Sequence, residues 1–460
     1  MDKYDRVMGT KDVIVLAFGA MIGWGWVVSS GTWINRAGVI GTVFGFVIGG
    51  AMIFFVGLTY AELATAIPVN GGAQEFSKRA FGRGGSFVCT WFLILSYLGV
   101  VCFEACSFPS IIQYIFPGIL KGFVYTIAGF DIYASWLLIA ALTTVFITVI
   151  NIYGIKIAAK VQTVFTVAIA LVGILLFAAS MINGSATNLK GQFVIGEGVG
   201  KIHGILSIAV IAPFYLFGFD VIPQASEEIN VPKKRLGALM ILSIVLAIAF
   251  YSSVVFAVGY AMNSNEINLS LSGSGLVTAD AMEKVFASRA MSRILIFGGL
   301  CGIITSWNSF LIGGSRTMAS LANAGYIPSI FGRIHEKYKT PYFSIVALGL
   351  LSFASLFFGR VMLTWIANVA SFACCVAYGI VSASFIRLRK IQPRMERPYC
   401  VKHYKLVGYV ALTMSFALAA MYLMPGTKCS FTIQESIILI VWIVIGGILL
   451  ALNRMSREEN

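Results

Sequence analysis

Of 460 residues, 58% are hydrophobic and only 11% are charged, with a mean hydropathy of +0.89. Soluble domains run near half apolar with about a quarter charged, so this balance excludes a soluble globular protein and places the chain in a bilayer. The formal net charge of +14 would suggest nucleic acid for a soluble chain, but the placement of the basic residues accounts for it, and no nucleic-acid partner is expected.

A crossing needs roughly 20 apolar residues. About twelve runs qualify, centred near residues 25, 53, 100, 140, 168, 212, 248, 302, 350, 374, 413 and 442. Residues 1–11 are short and charged, and no cleavable signal is expected in them. The first run contains GAMIGWGWVVSSG (residues 19–31), with glycines at 19, 23, 25 and 31 and indoles at Trp24 and Trp26. Unpaired backbone in lipid costs several kcal/mol, so such an interruption survives only beside a cavity or against other protein. The expected geometry is a helix that stops near Met21 and Ile22 and restarts after Gly25. Its new N-terminal amides and positive dipole end would suit a carboxylate. Carbonyls near Met21–Ile22, and others near Phe217 and Gly218, would suit an ammonium or Na⁺, so a zwitterion fits without a buried charged side chain.

In the second run Gly41, Gly45 and Gly49 form a ridge for close helix packing, and Glu62 near its end reads as an inter-helix anchor. The third run holds Glu104. The sixth is interrupted by PFYLFGFDVIPQ (residues 213–224), which includes Asp220. Breaks in runs one and six lie an odd number of spans apart, so the two halves would enter the membrane from opposite sides. That is the pattern of an inverted-repeat transporter with its site where both helices unwind. Between runs seven and eight, residues 263–289 combine a polar loop with ADAMEKVF, an expected outer lid helix. The cysteines read as small packing residues, no metal or cofactor is expected, and His203, His335 and His403 sit at span ends or in loops.

Basic residues alternate between loops. One side would carry Lys3, Arg6, Lys11, Lys78, Arg79, Arg83, Lys156, Lys160, Lys233, Lys234, Arg235, Arg333, Lys337, Lys339, the run 387–405, Arg454 and Arg457. The other side is poorer, with Lys121, Lys190, Lys201 and Lys428. This bias predicts a multi-pass protein of the cell membrane with both termini cytoplasmic.

Asp220 and Glu104 are acids at membrane depth, which are costly there and functional by default. A carboxyl in apolar surroundings favours its protonated form. Asp220 reads either as a proton-linked or gating residue or as a cap on the broken helix. Glu104 reads either as a ligand for a cationic group, with a coupling role, or as a partner for a neighbouring helix. Glu227 and Glu228 sit among Lys233, Lys234 and Arg235, as an ion-paired inner gate or a solvated face. Thr305, Ser306 and Ser309 in the eighth run are a candidate cation site, against the ordinary reading that such hydroxyls bond back to their own helix.

Five segments occur in order: GAMIGWGWVVSSG, TYAELATAIPVNGG (59–72), FGFDVIPQASEEINVPKKRLG (217–237), SRTMASLANAGYIPSIFGRIHEKYKTP (315–341) and NVASFACCVAYGIVSASFIRLRKIQPRMERPY (368–399). Together they resemble the amino acid–polyamine–organocation superfamily of transporters. The resemblance implies an all-α membrane protein with a LeuT-type five-plus-five inverted repeat, discontinuous helices 1 and 6, and two extra helices. Residues 1–402 would form the transport core (helices 1–5 over about 12–183, helices 6–10 over about 203–390), and residues 403–460 helices 11 and 12 with a short tail. By position, a substrate carboxylate would meet Met21, Ile22, Gly23, Trp24 and Gly25. Its amine would meet carbonyls near Phe214, Phe217 and Gly218, with Phe214 as an aromatic gate. Trp24 and Trp26 depart from the family's small residues and would reshape the pocket or supply a cation–π wall. A lysine that some proton-coupled relatives carry in the fifth helix is absent near Ala168 and Ile169.

The expected function is secondary active transport of an amino acid or related amine by alternating access, as proton-coupled uptake. Exchange, Na⁺-coupled symport and a transport-dead nutrient sensor are the alternatives. No cluster of nucleophile, metal ligands or paired acids points to an enzyme.

Overall fold

The computed structural model describes residues 8–116, 118–153, 155–196, 198–427 and 429–458. Lys3, Arg6 and Lys428 lie outside the described residues, as do the side chains of Lys156, Lys160, Arg454 and Arg457.

The chain opens with a broken helix, α1 (Thr10–Met21) and α2 (Gly25–Val28), followed by α3 (Ser30–Ala37). Next come α4 (Val39–Ala66) and α5 (Gly72–Ile115). A hairpin, β1 (Phe123–Ile127) and β2 (Phe130–Tyr133), leads into α6 (Ala134–Tyr153) and α7 (Ile155–Asn183). A second broken helix, α8 (Val199–Leu216) and α9 (Val221–Gln224), precedes α10 (Lys233–Ala261). Two short helices, α11 (Ser264–Ser272) and α12 (Val277–Phe286), stand before α13 (Arg289–Asn323). The remaining helices are α14 (Tyr342–Ser355), α15 (Met362–Ile391), α16 (Tyr404–Leu423) and α17 (Ile433–Glu458).

Among the described residues, 11 helices are long and apolar enough to cross a membrane. The difference from the expected twelve lies in one 50-residue unit, Tyr342–Ile391. At about 1.5 Å per residue it would measure roughly 75 Å, well over one hydrocarbon thickness. A 3₁₀ turn, Leu356–Val361, separates its two helices.

Burial sorts the helices into an inner group and an outer ring. In α5, 89% of the most apolar window is buried within the protein, against 28% in α6 and 22% in α17. The apolar residues left uncovered on α6 and α17 therefore face lipid. The ridge on α4 does what its spacing predicts: a Cβ built on Gly49 would lie 2.6 Å from the Ala212 Cβ of α8. It seats the second broken helix directly against α4.

Two features depart from the expected all-helical pattern. FVYTI and FDIY are rich in β-branched and aromatic residues and pair antiparallel across Ala128 and Gly129, both with positive φ, as a two-residue hairpin turn requires. The lid consists of two helices rather than one, and α12 is tied to α2 by the Thr278 hydroxyl, which donates to the Trp26 carbonyl at 2.9 Å.

Candidate functional site

Both interruptions read from the sequence are breaks. α1 ends at Met21, with the Ile22 N–H closing back on the Phe18 carbonyl, and helix resumes at Gly25. α8 ends at Leu216 and helix resumes at Val221, across Phe217 (φ −83°, ψ 158°) and Gly218 (φ +136°). The two breaks touch. A Cβ on Gly218 would lie 2.9 Å from the Ala20 Cβ and 3.1 Å from the Met21 nitrogen. Gly218→Ala is therefore expected to cost about 1–3 kcal/mol in backbone strain and to push the crossing apart, lowering both the melting temperature and ligand affinity. Gly447→Ala is the control, with nothing within 4 Å and a helical backbone that favours alanine. Equal melting temperatures for the two variants would remove the crossing contact from the argument.

Beside the crossing lies a small cavity of about 20 Å³, lined by Met21, Gly23, Gly25, Glu104, Phe214 and Ser306 among others. It has room for about one water. Of the residues expected there, Ile22, Trp24, Trp26, Phe217 and Gly218 do not line it. The carbonyls of Ile22 and Gly23 are turned to α13, where a Cβ on Gly302 would meet them at 3.1 and 2.7 Å. The Trp24 indole packs over Gly299 of α13, and Trp26 packs edge-on against Phe250 of α10 at 5.4 Å. Neither indole lines the cavity. The rings that do include those of Phe103, Tyr215, Tyr251 and Phe310, which were missed in a sequence rich in aromatics.

Glu104 is 2% exposed and sits against the first break. Its Oε1 accepts the Trp24 N–H at 3.4 Å, and its Oε2 is buried without a hydrogen-bond partner among the described residues. A Cβ on Gly23 would overlap Oε1 and lie 3.1 Å from the Ser306 hydroxyl. The Met21 carbonyl, an expected acceptor for a ligand, already accepts the Tyr251 hydroxyl at 3.0 Å.

Above this cavity a larger vestibule of about 480 Å³ is lined by Arg36, Arg360, Glu435, Trp33, Phe103 and Tyr215 among others. Phe103 and Tyr215 line both spaces, so they are the partition. Phe214, the expected gate, stands behind them, with ring centroids 5.2 Å from Phe103 and 5.1 Å from Tyr215.

The opposite end is sealed by ion pairs. Glu228 does not pair with Lys233, Lys234 or Arg235, which are exposed at the start of α10. Its partner is Arg316 of α13, Nε to Oε1 at 2.9 Å, both side chains nearly fully buried. Met8 N–H donates to the Glu228 carbonyl, and Asn230 N–H donates to that of Met8, pinning the N-terminal segment across the end. Glu227 joins the same end by accepting the Asn70 N–H at 3.3 Å. Its own N–H donates to the Asn70 Oδ1 at 2.8 Å. Glu62 is an anchor as read: Arg389 and Arg397 meet its carboxylate at 2.6 and 3.0 Å. Arg316 was the missed residue; its signal was an arginine in α13 after the uncharged stretch 294–315.

Asp220 is fully buried at the second break. Oδ1 accepts the Gly218 N–H at 3.0 Å, and Oδ2 accepts the Tyr97 hydroxyl of α5 at 2.6 Å.

Two of the three hydroxyls of the candidate cation site, those of Thr305 and Ser309, are engaged. Thr305 donates to the Gly302 carbonyl at 3.0 Å, and Ser309 donates to that of Thr305 at 2.8 Å. The fifth-span side chain that reaches this place is Gln162, not Ala168 or Ile169, its Nε2 donating to Ser309 Oγ at 2.9 Å.

Paired broken helices around an interior cavity, within a bundle of apolar helices, define a multi-pass helical membrane protein. The chain belongs to the amino acid permease family, of the amino acid–polyamine–organocation superfamily: that family's profile matches residues 12–456. Among its relatives is the branched-chain amino acid permease BcaP of Bacillus subtilis (strain 168), 26% identical over 86% of this chain and 83% of the relative. A methylthioribose transporter of the same organism is 25% identical over 96% of this chain and 92% of its own length. An aspartate–proton symporter, again from Bacillus subtilis, is 24% identical over 88% and 77%.

Proposed function

We propose that the chain is a secondary active transporter that moves an amino acid or related amine across the cell membrane by alternating access, as proton-coupled uptake. The observation that carries this reading is the crossing of two helix breaks beside a small interior cavity, with an aromatic partition on one side and buried ion pairs on the other. A ligand held at such a crossing is released by opening one seal at a time. The breaks fall in the first and sixth of the apolar helices, which supports the five-plus-five inverted repeat. Within it the 50-residue unit crosses twice, helices α16 and α17 lie outside the repeat, and both termini are cytoplasmic. The relatives support an amino acid or amine as cargo, and one of them is named for proton coupling.

The test is uptake by purified protein in proteoliposomes. An inward proton gradient should drive accumulation of radiolabelled substrate, and a protonophore should collapse it. Flux that ignores the gradient would remove proton coupling, and no flux of any amino acid or amine would remove the transport reading. Because Thr305 and Ser309 donate to carbonyls of their own helix and the Ser309 oxygen accepts the Gln162 amide, replacing Na⁺ by K⁺ should leave the initial rate unchanged. A requirement for Na⁺ would overturn that assignment.

A further inference from the structure

We propose that the cavity at the crossing takes an organic cation without an α-carboxylate, held through its ammonium by Glu104; this names the cargo class within the transport reading above and rests on it.

A free amino acid would need the amides of the first break for its carboxylate. One of those amides already meets a carboxylate of the protein: Glu104 Oε1 accepts the Trp24 N–H at 3.4 Å and lies directly over Gly23. A second carboxylate placed there would put two anions in one desolvated space, an arrangement that costs free energy unless a cation accompanies them. The ligand acceptors point the same way. The Met21 carbonyl is taken by Tyr251, and those of Ile22 and Gly23 face α13. Beside them Glu104 Oε2 is an open acceptor, buried and without a hydrogen-bond partner among the described residues. Glu104 is also the one charged side chain in the lining.

The walls suit the same ligand. Phe103, Phe214, Tyr215 and Phe310 surround the cavity, and aromatic faces attract an ammonium most strongly where water is excluded. Arg36 and Arg360 line the vestibule beyond the partition, at a solvated mouth where salt screens their field.

The test is thermal unfolding of the purified full-length protein in detergent, titrated with two pairs of probes that differ by one carboxylate. Pentylamine is compared with norleucine, and cadaverine with lysine. Ligand bound to the native state raises the melting temperature by mass action. Each amine is expected to act at a concentration at least about tenfold below that of its amino acid, a difference of one decade in affinity. Equal or stronger effects of the amino acids would overturn the proposal, as would the absence of a shift with both amines. Glu104→Gln should lose the amine shift, and a retained shift in that variant would overturn the role of Glu104. The wild-type comparison stands even where the variant fails to fold. Amine stabilisation without flux in proteoliposomes would sink the transport reading and leave this one. Amino acid flux without an amine shift would do the reverse.

Discussion

Exchanging Arg316 for alanine is expected to destabilise the protein by about 3–5 kcal/mol, the cost of leaving a buried charge without its partner. The guanidinium is 2% exposed and the Glu228 carboxylate 3%, so no solvent can replace either. Arg316 also donates to Ser315 Oγ at 3.2 Å, a bond that goes with it. The Glu228 backbone carries the hydrogen bond from Met8, so the loss should also free the N-terminal segment from the end it closes. Removing both charges, with Glu228→Gln and Arg316→Met together, should recover much of the loss, because an apolar or neutral pair carries no desolvation cost. Unfolding of the wild type, Glu228→Gln, Arg316→Met and the double variant in detergent forms a double-mutant cycle. A coupling energy near zero would mean that the two charges stand beside one another without holding the seal.

The two ends of the cavity are closed by different chemistry, and this bears on how they open. The partition toward the vestibule is a layer of rings, Phe103 and Tyr215 with Phe214 behind them, which can part by rotation about a few side-chain bonds. The other end is held by the Glu228–Arg316 pair and by the Glu227–Asn70 exchange. Both couple the stretch after α9 to other helices, so opening there requires moving α9 rather than turning a side chain. Since the two breaks touch at Gly218 and Ala20, motion of the second half-helix is transmitted to the first. In the transport cycle proposed above, the cavity would then lie between two openings of unequal rigidity.

Much of this was legible in residue order because backbone irregularity in lipid has a local signature. Glycines 19, 23, 25 and 31 and the run around Gly218 announce breaks wherever they fall, and the helices stop within a residue or two of the expected points. The ridge of Gly41, Gly45 and Gly49 likewise has one use in a membrane helix. What residue order could not supply is pairing across the fold. Glu228 lies next to three basic residues in sequence, yet pairs with Arg316, 88 positions away. Helix rotation hid the rest: Trp24 and Trp26 belong to the broken segment but turn away from the cavity, while Gly23 and Gly25 face it. The two runs expected near residues 350 and 374 fall within one 50-residue unit, Tyr342–Ile391, because a 3₁₀ turn joins their helices. Gln162 was missed because counting along α7 from residue 154 gives its register only to within two turns.

Asp220→Asn is expected to leave the protein folded and abolish accumulation against a gradient, and the hydrogen bonds at the second break show why the two effects separate. An asparagine oxygen can accept the Gly218 N–H as Oδ1 does, and its amide can donate to the Tyr97 oxygen, which turns from donor to acceptor. Shape, burial and both bonds are preserved, so the cap on the broken helix survives. What is lost is the capacity to bind and release a proton at a place that touches both the break and α5. A capping role predicts normal accumulation with an unchanged melting temperature. A coupling role predicts exchange of substrate across the membrane at near wild-type rate with no concentration above the external level. Tyr97→Phe separates them further, since it removes the hydroxyl that holds Oδ2 while leaving the carboxyl able to titrate. If Asp220 only caps, Tyr97→Phe and Asp220→Asn should both transport normally. If it couples, Tyr97→Phe should shift the pH at which uptake is half-maximal while Asp220→Asn removes the pH dependence altogether. Full pH-dependent accumulation by Asp220→Asn would take the residue out of the mechanism and leave the coupling proton to be sought at Glu104, the other acid at the crossing.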